Sequence, residues 1–481
     1  MTTSTQRNET KIRPAAVAGG FYPADAASLN EMMQQMLDQA PAASLNGETL
    51  ALIAPHAGYI YSGPVAACAY SALAGKNFHR VVIIAPSHAE SFPFSSVYDG
   101  EAYETPLGTL SVDQEFAAAL AKASSTIRLS GHGHATTEQR SEHAVEVQLP
   151  WLQHQLGDFL LVPIVMGEHS YEASRALGVA LAELCQDGKT LLVASSDLSH
   201  YHAYDEAVRM DHQALEAIAE WDYFNLSRNV ANRHWEACGA APIVATMIAS
   251  ERLGANQAQI LYSANSGNTA GSRDRVVGYG AVALLRSTEA KEATHSYSIN
   301  AEDKTTLLAL ARSTVETAVR EDRALDPPTE TSPELQQERG AFTSLHLHGK
   351  LRGCIGFTAP RKTLAGTVRD TALLAALRDP RFSPVQAAEL DDLEYEISVL
   401  SPLRRVLDPT QIKIGVHGLL IKNGDKEGLL LPQVPVEWKW DRETFLAQSC
   451  HKAGLPLDAW KDPETDIFAF TAVVFHEKRH R

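Results

Sequence analysis

Cysteine is scarce in this chain, and none of it is paired by spacing. The five cysteines in 481 residues (Cys68, Cys185, Cys238, Cys354 and Cys450) are odd in number, far apart and never in a CxxC arrangement. That excludes a disulfide framework and makes a reducing cytoplasm the expected compartment. Long apolar runs are missing as well. Nothing reaches the roughly 18 continuous apolar residues of a membrane span, so no membrane partner is expected. The stretch from Met1 to Arg13 is polar and lacks the apolar core of roughly 7–15 residues that a secretory signal needs. Positive charge is in deficit: 42 Lys and Arg face 58 Asp and Glu, a net charge of −16, and no basic stripe stands out. A nucleic-acid grip needs clustered cations against phosphate, so that class is excluded and a small-molecule partner is expected.

What is present suffices for two cores. With 44% hydrophobic residues and no low-complexity tract, the length points to two or three domains of roughly 150 residues. From Lys11 to about Leu285, short apolar runs alternate with helical stretches. Ala51–Ala54, Val81–Ala85, Phe159–Val165 and Leu191–Ala194 read as buried strands. Helices are predicted over Ala26–Gln39, Pro64–Leu73, Asp113–Lys122, Glu142–Leu156, Glu172–Cys185 and Tyr204–Ala219, with Ser62 capping the second and Pro64 in its first turn. The alternation predicts an α/β domain with a mostly parallel or mixed central sheet flanked by helices. Gln259–Tyr262 and Arg275–Leu285 would add an antiparallel edge.

The polar segment Ser287 to Asn300 loses this periodicity. The domains are therefore placed at residues 1–288 and 303–481, with a linker at 289–302. In the second domain, helices are expected at Lys304–Val319, Thr363–Leu377 and Arg442–Ala453. Strands are expected at Ala341–Leu347, Glu394–Leu400, Ile412–Val416, Gly418–Lys422 and Phe468–Phe475. Clustered strands without regular crossovers predict an α+β fold.

Open α/β sheets collect functional groups at the carboxyl ends of their strands. Three predicted strand ends carry histidine. Ala51–Ala54 runs into Pro55-His56-Ala57-Gly58-Tyr59, Val81–Ala85 into Pro86-Ser87-His88, and Leu191–Ala194 into Ser195-Ser196-Asp197-Leu198-Ser199-His200. One such histidine alone reads as a hydrogen-bonded loop residue. Three at one sheet edge read as metal ligands, since imidazole suits Fe, Zn, Cu and Ni. Cys238 opens the predicted helix Ala241–Arg252, where the helix dipole favours a thiolate; a buried small hydrophobe is the plainer alternative. Asp197 and His200 share one loop, as an orienting pair or a general base. Glu142, His143 and Glu146 fall on one predicted helix, as neighbours of the site or as a solvated face.

These strings resemble the Memo family. The resemblance rests on Ala18-Gly19-Gly20-Phe21-Tyr22-Pro23, on the three strand-end motifs, and on Glu104-Thr105-Pro106-Leu107-Gly108, Glu142-His143-Ala144-Val145-Glu146 and Cys238-Gly239, in order across nearly the whole first domain. The second domain is similar to the AMMECR1 family through Leu351-Arg352-Gly353-Cys354-Ile355-Gly356, Asp379-Pro380-Arg381-Phe382, Gly415-Val416-His417-Gly418-Leu419 and Gly428-Leu429-Leu430-Leu431-Pro432-Gln433-Val434. The resemblance implies a fusion of the two families and, for the first domain, a fold like the class III extradiol dioxygenases. It carries the metal site onto His56, His88 and Cys238, and the acid/base role onto His200 with Asp197 beside it. Tyr59, Ser87, Glu142, His143 and Glu146 are expected around that site or its substrate. The dioxygenases place a carboxylate where this chain has Cys238. A thiolate supports Fe(II), the metal expected here, and also suits Cu(I) or Zn. The two families are often encoded beside a radical-SAM protein in microbes, which makes such a protein an expected partner.

In the second domain Gly353 and Gly356 are expected to allow tight or positive-φ backbone, with Arg352 lowering the pKa of Cys354 as a nucleophile and His417 as its base. A turn with a buried free cysteine is the plainer alternative. Three functions follow for the whole. The first is a nonheme-iron oxidoreductase acting on a small aromatic substrate. The second is a non-catalytic metal- or peptide-binding module. The third is a metal hydrolase.

Overall fold

The computed structural model describes residues 11–41, 44–134, 141–287, 298–326, 331–359 and 362–477. The chain divides into two compact units, Met1–Lys291 and Glu292–Arg481. Most of the segment expected as a linker lies outside the described residues.

The first unit is built on one nine-stranded mixed sheet. Its strands are β1 (Glu48–Ala54), β2 (Arg80–Pro86), β3 (Ser95–Tyr98), β4 (Ile127–Ser130), β5 (Leu160–Met166), β6 (Thr190–Ser195), β7 (His200–His202), β8 (Gln257–Asn265) and β9 (Val276–Arg286). The spatial order is β7-β9-β1-β6-β2-β5-β3-β4, with β8 also paired to β9. The middle four, β1-β6-β2-β5, are parallel, while β9 joins β1 and β3 joins β5 in antiparallel fashion. Parallel strands need both faces covered, which their sequence satisfies. Leu52, Val81, Ile83, Leu191 and Val193 pack into one core with the helices Ala26–Gln39, Tyr59–Ser71 and Leu149–Leu156. The alternate residues Ile53, Val82, Ile84, Leu192 and Ala194 are equally buried on the other face, against Ala240–Arg252, on which Tyr171–Leu184 packs.

Two helix starts differ from expectation, and proline explains the second. The helix expected at Pro64 begins at Tyr59 after Gly58, with Pro64 inside it; Ser62 is not its cap but donates its hydroxyl to the Ala57 carbonyl. Glu142–Leu156 is not one helix. A 3-10 turn covers Glu146–Gln148 and the α-helix begins at Leu149. Pro150 has no N–H to donate one turn back, so it sits in a first turn and not mid-helix. Glu142 and His143 are thereby released into a loop.

The second unit is α+β. One antiparallel sheet has the order Lys350–Phe357, Ala341–Leu347, Leu393–Leu400, Ala472–His476, and a second has Arg404–Arg405, Asp466–Phe470, Gly418–Asn423, Lys426–Leu430. Helices Ala301–Glu321 and Leu364–Leu377 cover the first sheet, and Arg442–Lys452 covers the second. The expected strand Phe468–Phe475 is two strands: the chain changes sheets at Thr471, whose backbone N–H and C=O bond Ser401. Ile412–Val416 is not a strand. Gly415 turns at φ +78, and the N–H groups of Val416 and His417 bond back to the Lys413 carbonyl.

Candidate metal centre

The sheet order decides where the histidines meet. β6 lies between β1 and β2, so the loops leaving all three strands emerge side by side at one edge. His56 follows β1, His88 follows β2, and Ser195, Asp197 and His200 come from the end of β6. The ring centroids of His56 and His88 lie 5.1 Å apart. The loop freed ahead of Pro150 adds His143, whose ring stacks on His88 at 4.8 Å and stands 5.5 Å from His56. One ligand atom from each of His56, His88 and His143 falls within 4.8 Å of the others. A point central to the three is therefore no more than about 2.8 Å from each, that edge divided by √3. Metal–imidazole bonds of about 2.0–2.1 Å need only a small inward adjustment.

Proton accounting fixes how two of these rings are presented. Ser195 has one hydroxyl proton, and the Ala144 carbonyl at 2.7 Å can only accept it. The Gln148 amide nitrogen, 2.7 Å away, can only donate to that hydroxyl. Its orientation follows from Tyr70, whose hydroxyl donates to Gln148 Oε1 at 2.6 Å. His56 Nδ1, 2.9 Å from Ser195 Oγ, must then donate too, which leaves His56 Nε2 with a free lone pair. His88 is oriented more directly, because its Nδ1 faces the Glu142 carboxylate at 3.0 Å and its Nε2 points away from that partner. This is the arrangement in which a carboxylate or hydroxyl orients a ligand imidazole.

Glu142 also accepts the backbone N–H groups of His88, His143 and Ala144, tying two loops together. Burial works against its charge, but these bonds win and hold the carboxyl near a pKa of about 2. Burial lowers the pKa of His143 to about 4 and drives His56 well below its ordinary value, helped in each case by neighbouring imidazoles. Burial therefore favours the neutral, electron-pair-donating form of His56 and His143.

Cys238, expected as the third ligand, stands beside His56 but outside the set of three mutually close ligand atoms, where His143 is found instead. Its sulfur is 3.2 Å from His56 Nε2, close to the roughly 3.6 Å that two ligands of one tetrahedral ion would show. It is nevertheless a thiol. Burial raises its pKa, and the adjacent Asp197 raises it further, while the helix begins only at Ala240. The S–H proton has two acceptors in reach, His56 Nε2 and the Asp197 carbonyl at 3.6 Å, and a bound cation would displace it. Gly239 must be glycine here, because a Cβ would lie 2.3 Å from the Ser195 carbonyl oxygen. Asp197 clamps the His56 loop through the backbone N–H of His56 at 2.8 Å, and burial raises its own pKa.

The cluster opens into a cavity of about 570 Å³ lined by Phe21, Tyr61, His143, His200 and Tyr279 among others. His200 is held by its backbone N–H on Glu236, and its ring faces the cavity without a hydrogen bond to another described residue. Three expected neighbours lie elsewhere. Tyr59 is buried in the core with its hydroxyl on the Val147 carbonyl, and Tyr61 lines the cavity in its place. The Ser87 hydroxyl closes a turn onto the Glu90 carbonyl. Glu146 is fully buried and accepts from Arg13, Tyr22 and the backbone of Ala16 and Val17, so it fixes the loop without touching the cavity.

Residues 13–283 match the family model described as Memo-like protein, and residues 308–475 match that described as AMMECR1. The chain belongs to the Memo family, with an AMMECR1 domain fused behind it. Memo-like domains share the class III extradiol dioxygenase-like fold. A MEMO1 family protein of Methanopyrus kandleri is 35% identical over 285 residues, covering 57% of this chain and 99% of that one. A protein of Thermococcus kodakarensis is 49% identical over 185 residues, covering 36% of this chain and 90% of that one. The crystal structure of an uncharacterized protein from Pyrococcus horikoshii aligns at 42% identity with a TM-score of 0.35, over 37% of this chain and 94% of that one.

In the AMMECR1 domain the Arg-Gly-Cys motif is a strand, Lys350–Phe357, and not a turn. Neither Gly353 nor Gly356 has a positive φ. Gly353 instead permits close packing, since a Cβ there would lie 2.2 Å from the Ala375 carbonyl of the covering helix. Arg352 does not activate Cys354: its guanidinium forms a bidentate pair with Glu389 at 2.8 and 3.0 Å. Cys354 receives the Ser344 hydroxyl at 3.2 Å, and its N–H goes to Asp379, which also binds Arg381. His417 stands ahead of the other sheet, with its Nδ1 accepting the Lys413 N–H. Among the described residues no hydrogen bond joins it to Cys354.

Proposed function

We propose that the Memo domain holds one divalent metal ion, Fe(II), and works as an oxidoreductase of the extradiol type on a small aromatic substrate. The observation that supports this is the convergence of His56 and His88, oriented through Nδ1 by Ser195 and Glu142, with ligand atoms within 4.8 Å of one another and the Cys238 sulfur beside His56 Nε2. The Nε2 atoms of His56 and His88 and the Cys238 sulfur are the proposed ligands. The ion would supply Lewis acidity and a site for O₂ beside the substrate.

The protein's own groups do the remainder. Phe21 and Tyr61 line the cavity as apolar walls for a flat ring. His200, anchored by its backbone N–H on Glu236 and with no ring hydrogen bond to another described residue, takes the proton from a substrate hydroxyl and later returns it. Asp197 keeps the His56 loop in register through two backbone N–H groups. A cytoplasmic setting would keep both the thiol and the ferrous state reduced. The fusion suggests that the AMMECR1 domain, and a radical-SAM partner, serve the same pathway.

His143 favours a second reading. Three imidazoles at one point are also the ligand set of a catalytic zinc, which activates water for hydrolysis. Anaerobic purification, metal analysis and O₂ uptake with a panel of catechols separate the two. Iron with catechol-dependent O₂ consumption is expected, and His200→Ala should retain the iron while losing that consumption. Zinc with no O₂ uptake would overturn the oxidoreductase reading in favour of hydrolysis.

A further inference from the structure

The mouth of the cavity carries a feature that metal binding does not use. Among the residues lining it, Arg275 is the one permanent cation and Asp197 the one carboxylate. Some arginines of the same unit pair with carboxylates, Arg80 with Asp113 and Asp187 and Arg286 with Glu48, while Arg128 and Arg273 lie over aromatic rings away from the cavity. Arg275 has no carboxylate among the described residues. Its guanidinium lies over the ring of Tyr201, 5.3 Å from the centroid. No hydrogen bond joins that guanidinium to another described residue, so its N–H groups are open to a planar oxyanion.

Tyr201 is itself held at a cost. In the β7–β9 pairing His200 faces Val277 and His202 faces Val276, so Tyr201 is the extra residue of a bulge. It sits at φ +63, where glycine is the usual occupant, and its side chain gains little from burial because it is 62% exposed. Its ring contacts are the two that flank the cavity mouth, Arg275 and His200 at 6.0 Å. A bulky residue kept in a strained position, exposed, with an unpaired arginine stacked on it, is a built surface and not a packing remainder.

We infer that the cavity takes a small aromatic carboxylate, whose anionic group is received by Arg275 stacked on Tyr201. Phe21, Tyr61 and Tyr279 line the space for the ring between that contact and the histidines. The orientation with ring hydroxyls toward His56 and His88 rests on the metal reading above. The anion contact does not.

The test is equilibrium binding under argon of protocatechuate (catechol bearing a carboxylate), its neutral amide and catechol, to the full chain in metal-free and Fe(II)-loaded forms. The acid should bind roughly tenfold more tightly than the amide. Arg275→Gln should bring that ratio to about one and leave catechol binding unchanged. Tyr201→Gly should raise the thermal midpoint, by relieving the strained φ, while weakening the preference for the acid. Equal binding of acid and amide, binding of neither, or a preference that survives Arg275→Gln overturns the inference. A preference for the acid in both forms, with no O₂ consumed in air, supports the anion contact while counting against ring cleavage.

Discussion

The two domains handle chemically rich motifs in opposite ways. In the Memo domain, neighbouring parallel strands deliver their loops to one edge, so His56, His88 and Asp197 converge although they are far apart in sequence. In the AMMECR1 domain, the strand Lys350–Phe357 is antiparallel to its neighbour, and successive side chains are spread along its length. Its charged groups satisfy one another: Arg352 with Glu389, Arg381 with Asp379. The first arrangement gathers imidazoles at a point, and the second pairs its charges off along a strand. Parallel strand ends suit a metal centre for that reason, and a run of reactive residue types on one strand need not make a site.

The largest test of this contrast concerns the ion pair of each domain. Arg13 and Glu146 are both buried at 2.6 Å, so Glu146→Ala strands a guanidinium without water and should cost about 3–5 kcal/mol. Arg352–Glu389 is partly exposed, and Glu389→Ala should cost about 1 kcal/mol or less. Urea unfolding midpoints measure both. Losses of equal size would mean that burial does not separate the two domains as argued.

A smaller effect sharpens the chemical side. Glu142 orients His88 through its ring and both loops through their backbones, so Glu142→Gln should weaken metal affinity by about tenfold to a hundredfold. Asp379→Asn, at a carboxylate that bonds Cys354 and Arg381 in the other domain, should leave it unchanged. Competition against a chelator reads both variants, and an unaltered affinity in Glu142→Gln would remove that carboxylate from the centre.

Much of this architecture is legible in the sequence because hydrophobic pattern encodes it. The buried runs Ala51–Ala54, Val81–Ala85 and Leu191–Ala194 are strands, and the histidines that follow them do meet at one edge. What stays hidden is set by tertiary pairing. Apolar periodicity continues through Glu142–Leu156, and only the missing N–H of Pro150 shows that the loop bearing His143 must peel away. Ser195 reads as one more small residue at a strand end; its role in setting the His56 tautomer depends on Gln148 and Ala144, which no spacing connects to it. The apolar run Phe468–Phe475 cannot reveal that Thr471 divides it between two sheets. Arg275 carries no motif at all, and its place over Tyr201 follows from a bulge that pattern does not encode.

The smallest effect compares the acid behaviour of the two domains. His134 is buried, its Nε2–H donating to the Ser96 carbonyl and its Nδ1 accepting from Tyr103, and burial lowers its pKa to about 3. A histidine depressed on folding binds no proton in the native state while the unfolded chain does, so its stabilisation is complete above about pH 6.5 and is lost as pH falls toward 3. At pH 5.5, one unit below the unfolded value, the loss from this residue is about 1.4 kcal/mol. In the AMMECR1 domain burial also lowers the half-exposed His417, but Asp379 and Glu389 are carboxylates, held below their ordinary range by Arg381 and Arg352, so their contribution survives until about pH 4. Hydrogen exchange followed peptide by peptide at pH 7.5 and 5.5, corrected for intrinsic rate, should therefore show weakened protection in the Memo domain alone. His134→Gln keeps both hydrogen bonds without a titrating proton and should recover about 1.4 kcal/mol of that difference. Loss of protection in both domains, or an acid response unchanged by His134→Gln, would show that buried neutral imidazole is not what sets the Memo domain apart.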